Sequence, residues 1–275
     1  MVVNMLSYID RDSPVHQLTG ATKLICFLFW STAAMLTYDT RILLFLLFSS
    51  ILLFHLSKIK FSDISFVLGF ILFFLLLNNI AIYIFSPQEG VGIYGSKHLL
   101  VELPNSYDLT LEQLFYQFNV TLKYITVIPA ALILILTTNP SEFAASLNKI
   151  GINYRIAFAV ALTLRYIPDL QREFRNIALS QQARGLDMSK KEKLPARMKN
   201  AVSIIMPLIF SSLDRIETIS NVMELRGFGK KEKRTWYRER RFHKNDYVAF
   251  CLIAAISVIT LMITFFDGNR FYNPF

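Results

Sequence analysis

Apolar stretches alternate with short polar connections along most of the chain. Each stretch approaches the roughly 20 residues that a helix needs to cross a bilayer. The pattern predicts an all-α integral membrane protein with about five transmembrane helices. The predicted spans cover residues 20–38, 40–57, 62–86, 113–138 and 247–266.

One long polar segment, residues 139–245, lies between the fourth and fifth spans. It holds 21 of the 29 Lys and Arg residues but only 10 of the 20 Asp and Glu residues, so its formal charge is +11. Basic segments beside transmembrane helices stay on the cytoplasmic side. We therefore expect a membrane domain over 1–138, a cytoplasmic domain over 139–245, and a last span with a short outer tail over 246–275.

This placement fixes the expected orientation of the whole chain. Counting crossings puts the N-terminus in the cytoplasm and the C-terminus outside, with the acidic loop 87–110 also outside. The net charge of +9 does not indicate a nucleic-acid partner, because no recognition motif accompanies it. The dense basic run over 230–244 instead suits the anionic headgroups of the lipid bilayer.

Hydrophobic periodicity predicts two amphipathic helices in the cytoplasmic domain, over 169–185 and 196–226. A shorter apolar run, 156–167, precedes the first of them and is expected to end at Pro168. We expect Pro168 and Pro207 to introduce bends that set the angle between these helices. The longer helix should pack against the shorter one through a stripe of eight positions: Met198, Val202, Ile205, Ile209, Leu213, Ile216, Ile219 or Ser220, and Met223.

Both amphipathic helices are predicted to end in the same way. The first closes with Ala183, Arg184 and Gly185, and the second with Leu225, Arg226 and Gly227. Glycine just after a helix adopts the left-handed conformation at no steric cost, and a cation in the last turn suits the negative end of the helix dipole. A single Arg-Gly would be only a helix stop. Two copies in matching context predict two docking ends for a partner.

Polar residues within the spans are few. Asn78 and Asn79 point to different sides of one span, and Glu112 is isolated near the start of another. Lys123 lies one-third of the way along the fourth span, where a charge is costly. It is either a functional residue or an interfacial one, in a span that begins near Tyr124.

Two other classes of membrane protein stay open as alternatives. An integral-membrane enzyme needs paired catalytic groups, and the spans contain no His-Glu-x-x-His, paired-glutamate or serine-based constellation. A secondary transporter needs polar midplane residues in related halves, and no inverted repeat is visible. The four histidines lie in four different segments, and none has a second histidine or a cysteine three or four positions away, so neither a metal site nor a catalytic site is predicted. The phosphate-binding pattern Gly-x-x-x-x-Gly-Lys-[Ser/Thr] is also missing.

Several motifs together resemble one family, the T components of energy-coupling factor (ECF) transporters (the EcfT/CbiQ family). His16 to Leu24 is similar to the family's entry motif before the first span. The two Arg-Gly ends resemble the family's pair of coupling motifs, although the family usually has alanine where this chain has Leu225. Further similar segments are Thr137-Thr138-Asn139-Pro140, Leu164 to Asp169, and Met206-Pro207-Leu208.

The resemblance implies a non-catalytic scaffold in the cell membrane. Its partners would be two ABC ATPases, identical or related, and a membrane-embedded substrate-binding S component. The motifs Ala183-Arg184-Gly185 and Leu225-Arg226-Gly227 would couple ATP-driven motion to uptake of a vitamin or another micronutrient. ATP would bind the ATPases, and this chain would hold no cofactor.

Overall fold

The computed structural model describes residues 11, 13–102, 107–185, 194–231, 235–236, 240–266 and 271–275. The chain divides into two compact units. The membrane unit comprises Met1–Glu142 and Arg240–Phe275, and the insert comprises Phe143–Glu239.

Helices dominate both units within the described residues, which confirms the prediction of an all-α membrane protein. A small hairpin of strands β1 (Leu99–Val101) and β2 (Leu109–Thr110) lies in the predicted outer loop. The helices of the membrane unit are α1 (Pro14–Gln17), α2 (Gly20–Leu36), α3 (Thr40–Leu56), α4 (Phe61–Phe85), α5 (Glu89–Tyr94), α6 (Leu111–Thr137) and α10 (Lys244–Phe266). α7 (Pro140–Lys149) begins in the membrane unit and continues into the insert, which also holds α8 (Tyr154–Ala183) and α9 (Leu194–Leu225).

Five apolar helices coincide with the five predicted spans to within three residues at each end. Three of them contain segments long and apolar enough to cross a bilayer, namely Ile64–Phe85, Leu111–Thr137 and Lys244–Phe266, with mean hydropathies of 2.4, 2.0 and 2.6. α2 and α3 have 17 residues each, the lower limit for a span. The chain is thus a multi-pass membrane protein.

The tight turn between α2 and α3 is fixed by its side chains. The Asp39 carboxylate caps α3 by accepting from the Arg41 backbone N–H at 2.9 Å, and it also pairs with the Arg41 guanidinium. Burial acts to raise the pKa of Asp39, but the hydrogen bonds and charge of Arg41 outweigh burial and lower it. The carboxylate therefore stays ionised and holds the start of α3.

α6 is the central helix of the membrane unit and packs against α2 and α3, while α2 also packs against α10. One apolar cluster joins these helices through Trp30, Ala34, Ile42, Leu46 and Ile253. By contrast, α4 has eleven large apolar side chains that are exposed. Such a surface suits contact with lipid chains or with another membrane protein.

Lys123 lies well inside α6, since that helix begins at Leu111 and not near Tyr124. The side chain is 5% exposed. Its ammonium group donates to the Met35 carbonyl at 2.6 Å and lies 3.3 Å from the centre of the Tyr38 ring. The Met35 carbonyl is in the last turn of α2, where the helix dipole is negative. Lys123 therefore joins α6 to the end of α2.

The interpretation of Glu112 as isolated is wrong. The side chain is fully buried, and its two carboxylate oxygens accept from the His98 backbone N–H at 3.0 and 3.1 Å. The His98 ring Nδ1 lies 2.6 Å from the same carboxylate. Asn79 likewise has a structural contact, donating to the Thr121 hydroxyl at 2.8 Å. These polar groups join the β1–β2 hairpin and α4 to α6.

Candidate functional site

α8 and α9 of the insert pack against each other as an antiparallel pair. The Gln181 amide, near the end of α8, donates to the Ser203 carbonyl near the start of α9. Halfway along, the Glu173 carboxylate accepts from the Ser211 hydroxyl and pairs with Arg215 at 2.7 Å. Because partner numbers rise along one helix as they fall along the other, the two helices run in opposite directions.

The predicted end of a helix at Pro168 is wrong. α8 runs without interruption from Tyr154 to Ala183, so the apolar run and the amphipathic helix are one element. Proline inside a helix removes one backbone donor and usually bends the axis, but here it does not end the helix. Pro207 also lies inside its helix, α9.

The prediction that the apolar stripe of α9 forms the contact with α8 is also wrong. Six of the eight stripe residues are exposed, from Met198 at 71% to Ile205 and Ile209 at 45%. The helix contact instead uses the adjacent face, with Ile204 buried and Ser211 and Arg215 bound to Glu173. The polar contacts between the helices displace the apolar stripe to the surface of the insert.

The end of α8 has the predicted geometry. Arg184 is the C-cap residue, with its backbone N–H donating to the Gln181 carbonyl at 3.1 Å. Gly185 follows with a φ of +87°, and its N–H donates to the Gln182 carbonyl at 2.9 Å. Ala183, Arg184 and Gly185 are all exposed. The guanidinium is therefore presented at a helix tip.

The end of α9 is a complete Schellman motif. The Gly227 N–H donates to the Glu224 carbonyl at 2.8 Å, and the Phe228 N–H donates to the Met223 carbonyl at 2.9 Å. Gly227 has the φ of +65° that this motif requires. Arg226 is exposed, and the neighbouring Leu225 is 88% exposed. This tip thus presents a cation and a large apolar side chain together.

The two tips lie at opposite ends of the helix pair. Phe228, just past the second tip, packs against Tyr154 and Phe158 in the first turns of α8, with ring centroids 5.6 and 4.8 Å apart. Arg184 follows Phe158 by 26 positions along α8, which corresponds to about 39 Å of helix. A planar guanidinium at each tip can bind carboxylate and carbonyl groups of a partner. Two sites this far apart suit two partner subunits.

Comparisons with known proteins identify the family of this chain. The sequence profile of the cobalt transport protein family CbiQ matches residues 11–237. This match covers most of the chain, including both tips. The chain belongs to the EcfT/CbiQ family.

Curated members of this family are similar over nearly their whole length. The chain is 26% identical to the energy-coupling factor transporter transmembrane protein EcfT of Bacillus selenitireducens, over 95% of this chain and 97% of the relative. It is 24% identical to EcfT of Staphylococcus aureus, over 94% and 96%, and 28% identical to EcfT of Streptococcus thermophilus, over 92% and 95%. These matches confirm the resemblance to transporter T components.

The structure also explains the family's entry motif, His16 to Leu24, which the sequence could place but not interpret. α2 begins in this motif, and two buried carboxylates bind its first backbone N–H groups. Asp246 accepts from the Thr19 N–H at 2.9 Å, and Glu142 accepts from the Gly20 N–H at 2.8 Å. Neither carboxylate stood out in the sequence. In the sequence they are marked only by their positions, since each is an acidic residue near one border of the strongly basic segment 139–245.

Replacing Pro168 or Pro207 by alanine should stabilise the helix that contains it, by up to about 3 kcal/mol, because a backbone donor returns. If the bends set the angle of the tips, uptake by whole cells should nevertheless fall while membrane insertion is unchanged. Thermal unfolding and uptake are measured side by side, with Pro87→Ala as a control outside the insert. Full uptake in both variants would show that the bends are incidental.

Proposed function

We propose that this chain is the membrane scaffold and coupling subunit of an ECF-type importer. It transmits the ATP-driven motion of two ATPase subunits, identical or related, to a membrane-embedded substrate-binding S component. The cargo is a vitamin or another micronutrient, chosen by the S component. The chain itself performs no catalysis, holds no cofactor and binds no nucleic acid.

The observation that carries this proposal is the pair of Arg-Gly tips at opposite ends of one antiparallel helix pair. Each ATPase would receive one tip in a groove lined with carboxylate or carbonyl groups. When the ATPase dimer closes on ATP, the tips would move together and the long helices would carry the motion. The tips differ, with Ala183 at one and Leu225 at the other, which suits two non-identical grooves.

The alternatives of an enzyme and a secondary transporter gain no support from three of the polar residues that the sequence singled out in or near the spans. Lys123 binds the end of α2, Asn79 binds Thr121, and Glu112 binds His98. Each contact joins two structural elements and leaves the group bound to protein. A scaffold whose spans are held together by such contacts fits the coupling role better than a substrate path.

The proposed orientation places the insert and the N-terminus in the cytoplasm and the C-terminus outside. It can be tested in a background with Cys26 and Cys251 replaced by serine. A cysteine at exposed Glu102, in the outer loop, should react with an impermeant reagent in intact cells. A cysteine at exposed Glu217, on α9, should react only after permeabilisation. Labelling of position 217 in intact cells would contradict both the orientation and the coupling role.

Affinity purification of the tagged chain in mild detergent tests the function as a whole. We expect two ATPase subunits and one small, very hydrophobic protein to co-purify with it. ATP hydrolysis should then depend on the ATPases alone, and the isolated chain should show none. A chain that purifies by itself, under conditions that keep other membrane complexes intact, would favour the enzyme or secondary-transporter alternatives.

A further inference from the structure

A buried ionic network surrounds the N-terminus of α2, and we call it the α2 clamp. Its members are Thr19, Gly20, Thr22, Lys23, Glu142 and Asp246, all of them buried. We propose that the α2 clamp is the positioning element through which movement of the insert reaches the membrane helices. The inference rests on the proposed function and identifies where, within this chain, the coupling takes place.

The clamp binds the end of a helix at its most electropositive point. The first N–H groups of a helix have no partner within it, and the helix dipole attracts anions there. Asp246 accepts from the Thr19 N–H and, at 2.7 Å, from the Thr22 hydroxyl. Glu142 accepts from the Gly20 N–H. Charge-assisted bonds of this kind are shorter and stronger than neutral ones.

The two carboxylates lie where the chain leaves the membrane unit and where it returns. Glu142 is the last residue before the insert, and Arg240 is the first residue after it. Glu142 belongs to the first turn of α7, which continues as one helix to Lys149. Asp246 is in the first turn of α10, and its second carboxylate oxygen accepts from the His243 N–H at 2.8 Å. Both connections to the insert are therefore anchored on α2.

Two cations balance the negative charge of the clamp, namely its buried member Lys23 and the half-exposed Arg240 beside it. The Lys23 ammonium donates to the Thr137 carbonyl at the end of α6, at 2.8 Å. The Arg240 guanidinium lies 3.8 Å from the Glu142 carboxylate and donates to the His16 carbonyl at 3.4 Å. Every charged side chain of the α2 clamp thus has an opposite charge or a hydrogen-bond partner. Such fully satisfied networks are rigid.

Rigidity here has a mechanical consequence. A displacement of α7 would pull on Gly20 through Glu142, and a displacement of the returning chain would pull on Thr19 through Asp246. α2 runs from these residues into the apolar cluster around Trp30 and Ala34, where it meets α10. Movement of its N-terminus would therefore change the packing of the bundle. A loose connection at this point would let the insert move while the bundle stayed still.

Hydrogen exchange on the complete complex tests this directly. The chain is purified with its ATPases, reconstituted in nanodiscs, and compared without nucleotide and with ATP plus vanadate. In the wild type, nucleotide should change exchange at the two tips (181–185 and 223–228) and at the start of α2 (13–24). In the double variant Glu142→Gln with Asp246→Asn, the change at the tips should persist while the change at 13–24 is lost.

The control is Glu112→Gln, which neutralises a buried carboxylate outside the clamp and should keep both responses. If the double variant does not assemble, Thr22→Val and each single carboxylate variant are used, and each should reduce the response at 13–24. An undiminished response at 13–24 in these variants, or none in a wild type whose tips respond, would overturn the proposal. Wild-type tips that do not respond would contradict the proposed function itself.

Discussion

Replacing both Arg184 and Arg226 by alanine should release the ATPases from the membrane scaffold. Truncating a docked arginine anchor typically costs about 2 kcal/mol or more. Each single variant should therefore weaken ATPase binding about thirty-fold. The two tips are too far apart to share partner atoms, so their effects should add, to nearly a thousand-fold. The amount of ATPase retained on the tagged chain measures the effect.

The isolated chain should tolerate these changes, because both arginines are exposed. Surface substitutions of this kind usually alter stability by less than about 0.5 kcal/mol. Lysine at either position should restore binding only in part, since it keeps the charge but loses the planar fork. Arg175→Ala is the matched control, an exposed arginine on α8 nine positions before Arg184. If the double variant retains its ATPases and its transport, the two motifs are only helix stops.

Replacing Gly90 by alanine should destabilise the membrane unit by about 1–3 kcal/mol, the usual cost of overpacking. α5 lies so close to α6 at this point that a Cβ on Gly90 would be 2.5 Å from the carbonyl carbon of Glu112. Such a distance requires one backbone to move. The movement would also strain the hydrogen bond from the Gly90 N–H to the Gln113 side chain, now 2.8 Å.

Gly92→Ala provides the control for this prediction. Gly92 lies in the same short helix, and a Cβ there would have nothing within 4 Å. This variant should leave stability unchanged or raise it slightly, because alanine favours the helix. Thermal unfolding of the detergent-solubilised protein distinguishes the two. Equal unfolding temperatures for both variants would show that α5 does not depend on close contact with α6.

Local signals were sufficient to predict the membrane helices and the two tips. The length of each apolar stretch gave the bounds of α2, α3, α4, α6 and α10, because bilayer thickness sets the length of a span. Gly185 and Gly227 marked the helix ends because only the φ > 0 conformation of glycine closes a helix in this way at no steric cost. The family resemblance then suggested what such tips do.

Long-range contacts could not be predicted in the same way. Glu142 binds a residue 122 positions away and Asp246 one 227 positions away, so no sequence window contains both partners. The face that joins α8 to α9 was also missed, since Glu173 and Arg215 displaced an apolar stripe that periodicity favoured. Pro168 was misread because local propensity alone does not decide whether a helix continues through a proline.

Photocrosslinking at the two tips tests the central claim most directly. A photoreactive amino acid is placed in living cells at exposed Gln182, at exposed Glu224, or at the control position Glu102, between β1 and β2. We predict that both tip positions crosslink to an ATP-binding subunit and that position 102 does not. Mass spectrometry of the products would also show whether the two tips reach the same ATPase. Tips that capture no ATP-binding protein, in cells where the chain is functional, would contradict the account.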